Sequence, residues 1–137
     1  DRVEVAWNLR VNLGAGSLVP LYACASGKLF LANMPKRSRE RLLRLAPMLP
    51  HTSATLCDPG KLSLELEKVR KQGFAVDDEE YIPGIIALAV PVRDGDGKVV
   101  ASISAQAPTG RLRIEQAMEF LPQMKQAAES MAQTVDW

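Results

Sequence analysis

From Val3 to Leu13 the apolar residues fall on every second position, as Val3, Val5, Trp7, Leu9, Val11 and Leu13, with Arg2, Glu4, Asn8, Arg10 and Asn12 between them. Such alternation predicts a half-buried strand. Gly14 to Ser17 supply a turn, followed by a short extended piece through Leu18, Val19, Pro20 and Leu21. Between Ala25 and Met34, the run Leu29, Phe30, Leu31 and Ala32 is apolar on nearly every side, the pattern of a short buried helix. Pro35 suits the start of a second helix, Lys36 to Ala46, with Leu42, Leu43 and Leu45 expected on its inner face. Asp58 before Pro59 is a helix start: the carboxylate can accept from free N–H groups, and proline's fixed φ fits the first helical position. Leu62, Leu66 and Val69 stripe that helix, and Gly73 is placed to end it.

Phe74 to Ile82 reads as extended, and strands are predicted over Ile85 to Arg93 and Lys98 to Ala107, joined by a hairpin turn at Asp94, Gly95, Asp96 and Gly97. From Ile114 onward, Ala117, Met118, Leu121, Met124, Ala128, Met131, Ala132 and Val135 recur at three and four spacing. This predicts a long amphipathic helix that kinks or restarts at Pro122. Strands on either side of a helical middle predict an α+β domain, an antiparallel sheet with helices packed on it.

The two strands before the last helix have unequal faces. One side of Ile85 to Val92 carries Ile86, Leu88, Val90 and Val92, and the other Ile85, Ala87, Ala89 and Pro91, shaved to methyl groups at its middle. In the next strand Val99, Ala101, Ile103, Ala105 and Ala107 share a side opposite Ser102, Ser104 and Gln106, polar groups expected to face water or a ligand. Small residues leave volume that either a helix or a small molecule in a concave pocket can fill.

Composition narrows the function classes. A chain of 137 residues with 47% hydrophobic and 24% charged residues is expected to form one soluble domain over residues 1–137. Lys and Arg number 17 against 16 Asp and Glu, so a net charge of +1 gives no general attraction for nucleic-acid phosphates. The unbroken apolar stretch Ile85 to Val92 is far shorter than the roughly 18 residues of a membrane span, so no membrane association is expected. Cys24 and Cys57 are too few for a disulfide scaffold, which makes a reducing cytoplasm the expected compartment. A start at Asp1 that enters a strand pattern at once raises the expectation of a piece of a longer polypeptide.

Candidate chemistry is sparse. Cys24 and the single histidine, His51, have no spacing that joins them and no orienting acid, and the bland readings are a small buried residue and a loop residue. One histidine and two distant cysteines give no metal-ligand spacing, so neither a metal nor a cofactor is expected. In an extended segment the run Asp77, Asp78, Glu79 and Glu80 would point alternately to opposite faces, as a solvated edge does. Lys36, Arg37, Arg39, Arg41 and Arg44 read as a solvated helix face, since no aromatics interleave with them. Ala25, Ser26, Gly27 and Lys28 open a helix whose first N–H groups favour an anion, although structural capping alone would also explain Ser26.

At this point the residues resemble a known family. The segment GSLVPLYACASGKLFLA over 16–32 resembles the P-L-x-x-x-A-x-G-K-x-x-L-A segment that opens the effector-binding domain of IclR-type transcriptional regulators. The likeness continues through LSLELEKVRKQG, FAVDDEEYIPGIIALAVPVRD and GKVVASISAQAP, in order over nearly the whole chain. The resemblance implies a GAF-like α+β fold with an antiparallel sheet of about six strands, a homodimer or tetramer, and DNA contact only through an upstream winged helix-turn-helix domain. It implies a non-catalytic sensor of a small organic acid, a carboxylate with aromatic acids included. Carried over position by position, the effector contacts are Ala25, Ser26, Gly27, Asp77, Ala87, Ser104 and Gln106. Members resembling the glyoxylate and pyruvate responders have Cys in place of Ala87 and Ser in place of Gln106, which changes both room and hydrogen bonding. Trp7 and Tyr22 are candidates to wall an aromatic ligand, with a core or interface place as the commoner role for each. The rival readings are a GAF-like thiol-dependent enzyme using Cys24 or Cys57, and a structural dimerisation module whose pocket its own side chains fill.

Overall fold

The computed structural model describes residues 15–45 and 47–134. The predicted first strand, Trp7 within it, lies outside them, as do Ala46 and Val135. The elements run α1 (Ala25–Asn33), α2 (Lys36–Leu45), α3 (Pro59–Gln72), β1 (Ala75–Asp78), β2 (Ile85–Arg93), β3 (Val99–Pro108), α4 (Ile114–Ala117), a 3-10 turn (Met118–Phe120) and α5 (Leu121–Thr134). The sheet is antiparallel in the order β1-β2-β3. Among the described residues it has these three strands; the first strand expected lies outside them. Two expected extended stretches bend early: Leu18 to Leu21 runs into a turn whose Pro20 carbonyl accepts from the N–H groups of Ala23 and Cys24, and the stretch after Phe74 stops at Asp78.

Local chemistry explains the elements that match. Asp58 Oδ1 accepts from the Lys61 N–H at 2.8 Å, Pro59 opens α3, and Gly73 closes it at φ +77, a left-handed conformation that side chains with a Cβ rarely adopt. The β2–β3 turn is held by Asp94 Oδ1, which accepts from the N–H groups of Asp96 and Lys98. The last helix is interrupted as Pro122 requires: α4 tightens into the 3-10 turn, and α5 restarts with the proline in its first turn.

Alternation along β2 separates the molecule into layers. Ile86, Leu88, Val90 and Val92 pack with Ala117, Met124 and Ala128 on the α5 side. Ala87 and Ala89, with Ala75 of β1, pack with Leu29, Leu31, Leu62, Leu66 and Val69 on the α1 and α3 side. Methyl-sized residues there let α1 lie close to the sheet. Each fully buried Leu or Val on these helices is worth about 1.5–3 kcal/mol of transfer free energy. The α2 helix is less well seated than its pattern predicts: Leu42 and Leu43 pack on the core, but Leu45, the last residue of the helix, is 74% exposed.

Among the described glycines, Gly27 marks the tightest approach. A Cβ built on it would lie 2.4 Å from both Cα and O of Leu21, so the turn before α1 sits directly on the helix. Gly27→Ala is therefore expected to cost about 1–3 kcal/mol, read from denaturant unfolding. Gly95→Ala, where a Cβ meets nothing within 4 Å, is the control and should stay within about 0.5 kcal/mol of the parent.

Candidate functional site

The register across the sheet lines up one row of side chains. Asp77 of β1 pairs with Ala87 of β2, and Ala87 pairs with Gln106 of β3. One pleat along on the same face, Ala75 pairs with Ala89 and Ala89 with Ser104. Because Ala87 is only a methyl group, the row dips at its centre, leaving a cavity of about 70 Å³ between this face and the start of α1. That is enough for a small molecule of a few heavy atoms, or for several waters.

Ala25, Ser26, Asp77, Ala87, Ser104 and Gln106 all line this cavity. Gly27 does not; its place is the contact with Leu21 behind the helix start. Val19, Cys24, Tyr81, Ile82 and Ile85 complete the wall, and motif reasoning had not singled out Val19, Tyr81 or Ile82 for the site. Ser26 is not the cap of α1. Cys24 occupies that position, extended at φ −106, and makes no side-chain capping bond. The first N–H groups of α1 are thus left without a capping side chain where the helix meets the cavity.

The acidic run departs most from expectation. Alternation would have sent Asp77 and Glu80 to opposite faces, but Glu79 adopts φ 57 and turns the chain, so Asp77 and Glu80 both face inward at 5% and 8% exposure. Glu79 Oε2 accepts from the Gly84 N–H at 2.6 Å, which holds the turn. The hydroxyls of Thr52 and Thr55 donate to the carbonyls of Glu79 and Glu80 at 2.7 and 2.6 Å and clamp it from outside. Asp77 Oδ1 accepts from the N–H of Glu80 at 2.8 Å and more loosely from that of Tyr81. Burial pushes the Asp77 carboxyl up from its ordinary value, with the Glu80 N–H and the Lys28 charge opposing.

Lys28, which reads in sequence as part of a helix-start motif, is fully buried. Its Nζ donates to Glu80 Oε1 and lies 3.8 Å from Glu65 of α3, so one cation joins α1, α3 and the acidic turn. Glu80 Oε2 is buried without a hydrogen-bond partner among the described residues. Burial pushes the Glu80 carboxyl up, and the Lys28 charge and hydrogen bond pull against it.

Tyr22 belongs to the core and is absent from the cavity wall. Its hydroxyl donates to the Leu49 carbonyl at 2.8 Å and so accepts from His51 Nε2, 3.0 Å away; the imidazole also meets Tyr81 edge-on at 5.2 Å. Burial pushes the Cys24 thiol up, the opposite of what an activated nucleophile needs. Among the described residues no His, Cys, Asp and Glu cluster is arranged to hold a metal ion, and no helix is long and apolar enough to cross a membrane.

A buried carboxylate whose cation is removed is strongly destabilising. Lys28→Met is expected to cost about 3–5 kcal/mol at pH 7. Glu80 holds its proton to higher pH folded than unfolded, so its charge penalises the fold above its ordinary value of 4.5 and that penalty fades as pH falls through it. Unfolding curves should accordingly show the Lys28→Met deficit shrinking from pH 7 toward pH 4, and Glu80→Gln in the same chain should recover much of it at pH 7.

Comparison with known proteins places the site in context. The family model described as bacterial transcriptional regulator IclR C-terminal matches residues 1–133. A probable transcriptional regulator, SauR of Cupriavidus necator, is 40% identical over 98% of this chain and 53% of its own length. The Thermotoga maritima IclR crystal structure superposes with a TM-score of 0.89 at 34% identity, covering all of this chain and 56% of that one. The inducer-binding domain of the PobR transcription factor from Acinetobacter, crystallised as a double mutant with 3-hydroxybenzoic acid, shares the fold, with a TM-score of 0.84 at 23% identity over 93% of this chain and 75% of that one. The chain spans about half the length of the curated relatives it matches. A mixed helical and antiparallel architecture, and a family model that covers nearly every residue, agree: the chain belongs to the IclR family of bacterial transcriptional regulators, as its C-terminal effector-binding domain.

Proposed function

We propose that the cavity between the β1-β2-β3 row and the start of α1 is an effector site for a small organic acid. Its occupancy biases DNA binding by a domain upstream in the same polypeptide, in a cytoplasmic regulator without catalytic turnover. The observation that carries this reading is convergence: the uncapped start of α1 and the polar row Asp77, Ser104 and Gln106 meet across a methyl-floored hollow. The ligand carboxylate lies against the Ser26 hydroxyl and the free amides at Ala25 and Ser26, with the Gly27 amide next in the same turn. Ser104 and Gln106 donate from the far wall, Ala87 provides the floor, and Asp77 faces a donor on the ligand. PobR supports the class of guest, since its inducer-binding domain of the same fold was crystallised with a hydroxylated carboxylic acid.

Sensing demands more than occupancy. A ligand shifts an equilibrium between two arrangements of a homodimer or tetramer only by its difference in affinity for them. The joints available for such a shift are the helix start and the acidic turn, both of which touch the cavity and both of which Lys28 holds.

Calorimetric titration of the effector against Ser104→Ala should show affinity weakened about 5- to 10-fold, the worth of one hydrogen bond. Saturation at 100 times Kd should raise stability by about 2.7 kcal/mol, read as a thermal shift. A screen of small acids in which none shifts the melting temperature would leave a structural module with a self-filled pocket as the better reading.

A further inference from the structure

The charges around the cavity do not balance for an anionic guest. Among the described residues its wall contains one carboxyl side chain, Asp77, and no Lys, Arg or His. The nearby buried cation, Lys28, is already engaged by Glu80 and lies close to Glu65. Facing Asp77 are Lys28 from α1 and the Cys24 thiol at its cap, and Asp78 and Glu80 from its own segment. The positions opposite it on β2 and β3, Ala87, Ser104 and Gln106, are uncharged. Tyr81, beside it, turns to His51, which is exposed. Asp77 spends Oδ1 on two backbone N–H groups, and its second oxygen makes no hydrogen bond among the described residues.

From this geometry, and resting on the effector-site reading above, we infer that the cavity takes up a carboxylic acid together with a proton, which Asp77 and the ligand carboxylate share. In a hollow of about 70 Å³ no position is far from Asp77, so an ionised acid would set two carboxylates side by side with no free cation among the described residues. Two carboxylates that share a site cannot both stay ionised, and one of them holds its proton to much higher pH. The O–H formed between them supplies the donor that the second Asp77 oxygen lacks. Helix-start amides at Ser26 and the Ser104 and Gln106 donors then bind the other ligand oxygens. Burial already pushes Asp77 up, which reduces the work of protonating it. The site would thus select monocarboxylic acids over dicarboxylates, whose second charge has no partner.

Linkage gives the sign. Between the pH at which free Asp77 ionises and the higher pH at which the complex does, each ligand bound takes up one proton and Kd rises about tenfold per pH unit. The test is isothermal calorimetry of the 137-residue chain with acetate, glyoxylate, pyruvate and 3-hydroxybenzoate, in two buffers of different ionisation enthalpy at pH 7, repeated at pH 8. The expected result is close to one proton taken up per ligand at pH 7, Kd about tenfold weaker at pH 8, and both effects abolished by Asp77→Asn, whose amide supplies the hydrogen itself. Binding whose heat is independent of buffer overturns the proton-sharing inference and leaves the sensor reading standing. Proton uptake that persists in Asp77→Asn overturns the assignment to Asp77. If none of the four acids binds, the acid-sensor reading and this inference fall together. Should Asp77→Asn fail to fold, the two-buffer measurement on the parent chain still decides.

Discussion

A fully buried ammonium group must find its counter-charge or unfold the chain around it, and Lys28 finds it in Glu80. Most of the functional geometry follows from meeting that demand. Glu80 can reach Lys28 only because Glu79 turns the backbone, and that turn presents its N–H to Asp77 Oδ1. Asp77 is thereby aimed into the cavity instead of out to water. The same ion pair ties the acidic turn to α1, whose first residues form the opposite wall, and Glu65 draws in α3. Buried pairs of this kind add little net stability over an apolar substitute, so what Lys28 contributes is placement.

The sheet shows how one strand serves two demands. On the α5 side β2 carries branched and long residues that fill a conventional core with Met124 and Ala128. The other side carries alanines, and there the sheet forgoes part of its packing energy so that α1 can approach and a hollow can remain beside Ala87. Gly27 works to the same end, since only a hydrogen in place of a Cβ lets the Leu21 turn fold over α1 and bring Val19 to the cavity.

Where the fold and the candidate site were legible in the sequence, they were legible through residues whose local chemistry admits one structure. Asp58, Pro59 and Gly73 bound α3 through caps, and β2 revealed its two faces through strict alternation. The family likeness then drew attention to positions that lie around one cavity, Gly27 excepted. What periodicity could not reveal was set by distant partners. Nothing local to Asp77–Glu80 announces a left-handed residue at Glu79; Thr52 and Thr55, far away in sequence, hold the turn that makes it. Leu45 looked like an inner residue because helical spacing gives a face but not how far the neighbouring core extends. One signal was available and went unused: a lysine inside a helix apolar on nearly every side must be buried, and a buried lysine requires an acid.

The alternation of β2 has a consequence for how relatives with this fold can diverge. Ala87 sits at the centre of the cavity floor, while its neighbours in sequence, Ile86 and Leu88, belong to the opposite core. Adding a methyl or a thiol at Ala87 trims the space left for a guest without disturbing a single contact to α5. Selectivity can therefore drift by one atom at a time while the α5 core, insulated by the thickness of a single strand, registers almost none of it.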